Sequence, residues 1–278
     1  MKRKFLAAVL VLSLAAFMGL KVRVDRITRP KLPGASVIYV PSGKYLKYAT
    51  FGYSSLLADL IYLWAIQYYS TPTVVDRFEY LDHIFSVIAE LDPRYLDPYE
   101  IGAMIAVYEA RDMDLALKIL DRGLEKNPDQ WIVPFQAGHY AQMITKDYSL
   151  AQHYYKKTME INGAPPITKR LYAHAAFRTA DYPTAWKTWL EVYENAQDKR
   201  IKKIANNHLY QVKAAMDIQE IRNAIEEYRQ KYGRNPSHLS QLTGLGLLDK
   251  IPKDLDGNDY IYDPKSGELK APSSPWKR

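Results

Sequence analysis

Hydrophobic positions along this chain fall into two regimes: one uninterrupted apolar run at the N-terminus, and then repeated helical periodicity. From Phe5 to Leu20 the run is apolar or weakly polar, with Lys2-Arg3-Lys4 before it and Lys21, Arg23, Arg26 and Arg29 after it. From Tyr53 to Ser70 apolar residues recur at helical spacing (Leu56, Leu57, Leu60, Ile61, Trp64, Ile66, Tyr68), which predicts an amphipathic helix. Thr71-Pro72 stops it, and a second helix is expected from about Val74 to Leu91, closed by Asp92-Pro93. Helix pairs follow at 98–110 and 113–126, 131–145 and 148–161, and 166–179 and 182–195. A continuous helical pattern then runs from Lys199 to Tyr232 without a breaker. Gly233 reads as its C-cap and Pro236 as the start of the next turn, leading to an amphipathic segment around Leu239–Leu248. Tyr260-Ile261-Tyr262-Asp263 and Glu268-Leu269-Lys270, split by Pro264-Lys265-Ser266-Gly267, predict a small β-hairpin.

The pairs repeat. Ala116, Ala151 and Ala185 lie 35 and 34 residues apart, each after an acidic turn and four residues before a bulky one (Leu120, Tyr155, Trp189). Pro93 and Pro128 are also 35 residues apart, which makes 53–93 a degenerate first member with Leu81 in the place of the alanine. A unit of this length cannot bury its own apolar face and must stack on a neighbour. The default expectation is therefore a binding surface, not a catalytic cavity.

The acidic turns and the small residues together resemble tetratricopeptide repeats over about residues 53–195. That family carries small residues at its eighth and twentieth positions, an aromatic at the twenty-fourth and a proline near the thirty-second. Ala116, Ala151 and Ala185 match the twentieth, Tyr155 and Trp189 the twenty-fourth, and Pro128 the last. At the eighth position Gly138 stands one place early, and the first full unit lacks a residue in its opening helix. The resemblance implies a right-handed solenoid of helical hairpins that binds proteins or peptides. The tail, with Gly233-Arg234-Asn235-Pro236 after a long helix and then Asp254-Leu255-Asp256-Gly257-Asn258-Asp259-Tyr260, is similar to the C-terminal part of type II secretion major pseudopilins. The pseudopilin processing motif is absent from the N-terminus, so the chain does not resemble a pilin itself.

Charge refines the picture. The formal net charge is +7, yet residues 1–50 carry a net of +9, 51–194 a net of −6 and 195–278 a net of +4. The repeat region is acidic and would repel phosphate, which argues against nucleic acid as a partner. The absence of cysteine excludes thiolate zinc sites, c-type haem attachment and disulfides. No phosphate loop, nucleophile elbow or paired-carboxylate signature is present, and the six histidines show no metal spacing, so neither an enzyme nor a cofactor is expected.

Two clusters are candidates for chemistry. Arg170, His174 and Arg178 are spaced four apart on the opening helix of the third full hairpin, with Gln136 and Tyr140 at comparable positions one hairpin earlier. Cationic groups on one helix face can clamp an acidic peptide or a carboxylate; the plain alternative is a solvated helix face. Asp254, Asp256, Asn258 and Asp259 are the densest set of oxygen donors. Pseudopilins can bind calcium in this vicinity, but Gly257 and Lys265 do not fit an EF-hand loop, and a turn rich in Asp, Gly and Asn is the favoured reading over a metal site.

The expectation is thus a mainly α chain. Residues 1–22 form a membrane-spanning signal anchor, 23–52 a linker with a short strand at 36–40, 53–198 tetratricopeptide-like repeats, and 199–278 a long helix with a small α+β module. Its function is a single-pass inner-membrane scaffold with an extracytoplasmic bulk, binding a protein or peptide partner in envelope assembly or secretion. The alternatives are a cytoplasm-facing adaptor and an envelope protein that binds a metal or small ligand through its C-terminal loop.

Overall fold

The computed structural model describes residues 2–25, 40–74 and 76–272. The chain divides into two units, Met1–Pro98 and Tyr99–Arg278.

In the first unit α1 spans Lys2–Asp25. Among the described residues no helix is long and apolar enough to cross a membrane, which overturns the expected membrane helix over 1–22 and the single-pass inner-membrane placement built on it. The physical reason is length and flanking charge. Sixteen residues from Phe5 to Leu20 rise about 24 Å, against a hydrocarbon core of about 30 Å, and Lys21 and Arg23 follow at once. The segment 23–52, expected as linker, carries a short helix, α2 (Gly43–Ala49). It packs on α4 (Leu81–Leu91) through Gly43, where a β-carbon would meet the Glu90 side chain and the Val87 carbonyl at 2.7 Å. His83 Nε2 lies 2.7 Å from the Val40 carbonyl and ties the same region down. The strand expected at 36–40 lies, apart from Val40, outside the described residues. Between α2 and α4, α3 (Ser54–Tyr69) covers the other side of α4. The second helix starts at Leu81, not Val74: Val74 is buried but sits in the turns that follow Pro72. Leu81 itself is fully buried.

In the second unit consecutive helices pack one on the next. α5 (Asp97–Ile105) is prolonged by a wide π-type turn, Ala106–Ala110, before α6 (Met113–Lys126). α7 (Ile132–Tyr140) has the same extension at Ala141–Thr145 before α8 (Tyr148–Met159). α9 (Ile167–Arg178) and α10 (Tyr182–Asn195) form the third hairpin, and α10 packs on α11 (Lys199–Tyr232). Ala116, Ala151 and Ala185 are fully buried, and Leu120, Tyr155 and Trp189 pack beside them at no more than 2% exposure. The small side chains let neighbouring helices approach closely while the bulky ones fill the gap. Gly138 shows the limit of that approach: a β-carbon there would fall 2.9 Å from the Tyr155 ring.

Side-chain hydrogen bonds join hairpin to hairpin. Gln136 Nε2 donates to Glu100 Oε2 at 2.6 Å, Tyr154 Oη donates to Asp121 Oδ1 at 2.9 Å, and Gln152 Nε2 donates to Asp181 Oδ2 at 3.1 Å. The whole is mainly helical, with consecutive helices packed in a manner compatible with a helical-repeat solenoid. Its only strands among the described residues are β1 (Ile261–Asp263) and β2 (Glu268–Lys270), an antiparallel pair with Tyr262 opposite Leu269.

The tail folds against the C-terminal half of α11. Ile221, Ile225 and Tyr228 on α11 share a buried cluster with Leu242 of α12 (Ser240–Gly244), Leu248, Tyr260 and Leu269. Gly233 takes the left-handed conformation (φ 68°) that ends α11, and its N–H donates to the Arg229 carbonyl at 2.8 Å. The Arg229 guanidinium then donates to Asn235 Oδ1, which fixes the Gly-Arg-Asn-Pro turn. Asp217, only 4% exposed, is the polar anchor of this module: the Lys213 ammonium and the Tyr260 hydroxyl both donate to its carboxylate.

Candidate partner-binding face

The opening helices of the three hairpins repeat with a spacing of 35 residues throughout. Ala103, Gly138 and Ala173 are buried at one position, and Ala106, Ala141 and Ala176 at another. At the end of each helix a left-handed residue (Arg111, Lys146, Ala180) precedes an aspartate (Asp112, Asp147, Asp181). That aspartate's carboxylate caps the next helix by accepting from Leu115, Leu150 or Thr184 N–H. Its N–H donates back to Ala106, Ala141 or Ala176 at 2.9 Å each time. The loop so closed spans six residues in the first two hairpins and five in the third, the extra residue being absorbed by the π-type turn. Gly138 is therefore not displaced, and the first hairpin's opening helix lacks nothing; the additional residue sits in the turn.

With this register, the positions equivalent to Arg170, His174 and Arg178 are Phe135, His139 and Met143 in the second hairpin, and Glu100, Met104 and Tyr108 in the first. They lie one residue before Gln136 and Tyr140. Tyr140 is 6% exposed, its ring set edge-on to Tyr108 at 5.9 Å, and burial pushes its hydroxyl pKa up to about 12, with Tyr108 and Glu100 adding to the shift. Gln136 is half-buried and is spent on Glu100. Both hold hairpins together.

His174 and Arg178 form a local group with the second hairpin. The His174 ring lies edge-on to Tyr148 at 5.9 Å and its Nδ1 is 3.5 Å from Gln142 Nε2. Burial, and then the nearby Arg178 charge, lower its pKa, so the ring is neutral at pH 7. The exposed Arg178 guanidinium stands 4.3 Å over the Tyr148 ring. Arg170 is elsewhere on the helix, half-buried at the wall of a cavity formed with α10 and α11. Thus Arg170, His174 and Arg178 do not form one clamp.

What the register adds is an exposed row. Met104 (41%), Tyr108 (55%) and Met143 (57%) are large apolar side chains left open to solvent on successive opening helices, and Ile144 (44%) extends the row. Tyr108, Met143 and Arg178 follow one another at the same 35-residue period as the buried alanines, which is the signal in the sequence that could have found them.

In the tail, the four oxygen donors are engaged locally. Asp254 Oδ1 accepts from Asp256 and Asn258 N–H at 2.9 and 2.8 Å, Asp256 accepts from the Tyr210 hydroxyl, and Asp259 pairs with Lys253 at 3.3 Å. Among the described residues no group of three or more His, Cys, Asp or Glu is arranged to hold a metal. These contacts order the loop internally and tie it to α11 through Tyr210. No protein-family model matches the chain, and no curated protein matches it.

Proposed function

We propose that this chain is a tetratricopeptide-type scaffold that binds a protein or peptide along the row Met104, Tyr108, His139, Met143, His174 and Arg178. The observation that carries the reading is the exposure of Tyr108 and Met143 at equivalent positions of successive opening helices, with Met104 exposed four residues before Tyr108. Scattered exposed apolar residues are normal, but a periodic row of them on packed helices is a contact surface in search of apolar anchors. Methionine and tyrosine suit that role, the first by adapting its shape and the second by joining an apolar body to a polar tip. Arg178 at the end of the row favours an acidic group on the partner. The mechanism is binding without turnover. The secretion or assembly setting rests on the pseudopilin-like order of long helix, Gly-Arg-Asn-Pro turn and short hairpin in 199–270.

The test is capture from cell extract by the full chain and by Tyr108→Glu/Met143→Glu. Partners retained by the parent are expected to be lost by the double variant. A variant that keeps the parent's circular dichroism spectrum and the same partners at equal yield contradicts the proposal.

A further inference from the structure

A cavity of about 600 Å³ opens where the N-terminal ends of α9 and α11 meet the C-terminal ends of α8 and α10. Its walls are mostly apolar, with Met159, Pro165, Pro166, Val192, Ala196 and Ile201 contributing. Four charged side chains reach it: Lys169, Arg170, Glu191 and Asp198. Three of them are engaged. Lys169 Nζ pairs with Glu191 Oε2 at 3.4 Å, and Asp198 Oδ1 accepts from the Arg200 N–H at 2.7 Å to cap α11. Arg170 is half-buried and, among the described residues, has no hydrogen-bond or ion-pair partner. Its guanidinium donors are therefore open to a ligand in the cavity.

We propose that this cavity binds a small amphipathic monoanion, its carboxylate on the Arg170 guanidinium and its apolar body against Val192, Ala196 and Ile201. The volume lies within the range of small-molecule sites, and one polar group in an apolar pocket is the usual division between orientation and affinity. The planar five-donor guanidinium takes a carboxylate in two parallel hydrogen bonds. Neighbouring Glu191 and Asp198 are already engaged, and their charge disfavours a second anionic group on the ligand. The site is distinct from the row of Met104, Tyr108 and Met143 and shares no residue with it.

Decanoate and decanol serve as probes, titrated calorimetrically into the full chain and into Arg170→Gln. The parent is expected to take up one decanoate per chain and to bind it at least about tenfold more tightly than decanol, the range set by a charge-assisted hydrogen bond. Arg170→Gln is expected to lose that preference while its decanol affinity stays the same. Since Arg170 has no internal partner to lose, the variant should fold as the parent does, and its melting temperature without ligand verifies this. Equal affinity for the two probes in the parent, an Arg170→Gln variant that still prefers decanoate, or absence of saturable binding of decanoate would each overturn the proposal.

Discussion

Gly138 and Gly244 are two helical glycines with opposite surroundings, and they should respond oppositely to alanine. Replacing glycine in a helix gains about 1 kcal/mol of propensity. At Gly138 the new methyl falls 2.9 Å from the Tyr155 ring and 3.3 Å from the Tyr154 Cβ, and overpacking of this kind costs about 1–3 kcal/mol. Gly138→Ala is expected to lose about 1 kcal/mol in urea unfolding, whereas Gly244→Ala, with nothing within 4 Å, should lose nothing or gain slightly. A second residue-scale prediction concerns His174 and His208. The His208 ring stacks on Trp189 at 4.1 Å. Burial lowers its pKa against the opposing hydrogen bond to Gln211 Oε1, with His174 also lowering it; His174 is lowered by burial and Arg178. Both folded-state pKa values lie below the ordinary 6.5, so the unfolded chain protonates first as pH falls. The stabilisation is complete above about pH 6.5 and is lost below it. The melting temperature should drop between pH 7 and pH 5, and His174→Gln/His208→Gln should flatten that drop. The buried alanines were legible from their spacing alone. The burial of His174 and His208 was not, because it is set by the ring each one meets on a neighbouring helix.

Each hairpin turn is built from a left-handed residue followed by an aspartate cap, and those parts can be tested separately. Ala180 holds φ 60°, a conformation that costs an alanine roughly 1–2 kcal/mol and a glycine little. Glycine's greater freedom in the unfolded chain takes back about 0.4–1 kcal/mol. Ala180→Gly is therefore expected to stabilise by about 0.5 kcal/mol, while Asp147→Ala should cost about 1 kcal/mol through loss of the cap on α8. Both are read from denaturant midpoints at unchanged slope. The sequence pattern placed these turns within a residue or two because Asp, Gly and Pro mark them chemically. It could not place the additional residue: an insertion in a helix and one in a π-type turn leave the same spacing, and only the hydrogen bonds from Asp112 and Asp147 back to Ala106 and Ala141 distinguish them. The same one-residue ambiguity is why Gln136 and Tyr140 were read beside Arg170 and His174, when Phe135 and His139 share their register. At the N-terminus the apolar run of α1 was legible, but reading the sixteen residues from Phe5 to Leu20 as enough for a membrane span fails, because among the described residues no helix is long and apolar enough for one.

In the second unit the exposed row lies on the opening helices, apart from the buried alanines of the second helices. The second helices α6, α8 and α10 bury Ala116, Ala151 and Ala185 and expose Lys118, His153 and Lys187, whereas the opening helices expose Met104, Tyr108, Met143 and Arg178. Beyond α10, the chain runs without a break through the 34 residues of α11, which is about 50 Å long, and the tail module folds on its far half. The paired Lys213, Asp217 and Tyr260 hold that module to the helix and leave the opening-helix row untouched. The central claim is that a partner reads the opening-helix row. It is tested most directly by placing a photo-crosslinking amino acid singly at Tyr108, Met143 and Arg178, and at the equivalent exposed positions Lys118, His153 and Lys187 of the second helices. After irradiation in cells, adducts with one common partner are expected from the first three positions and none from the second three. Adducts of equal yield from both sets, or that partner on the second set alone, would contradict it.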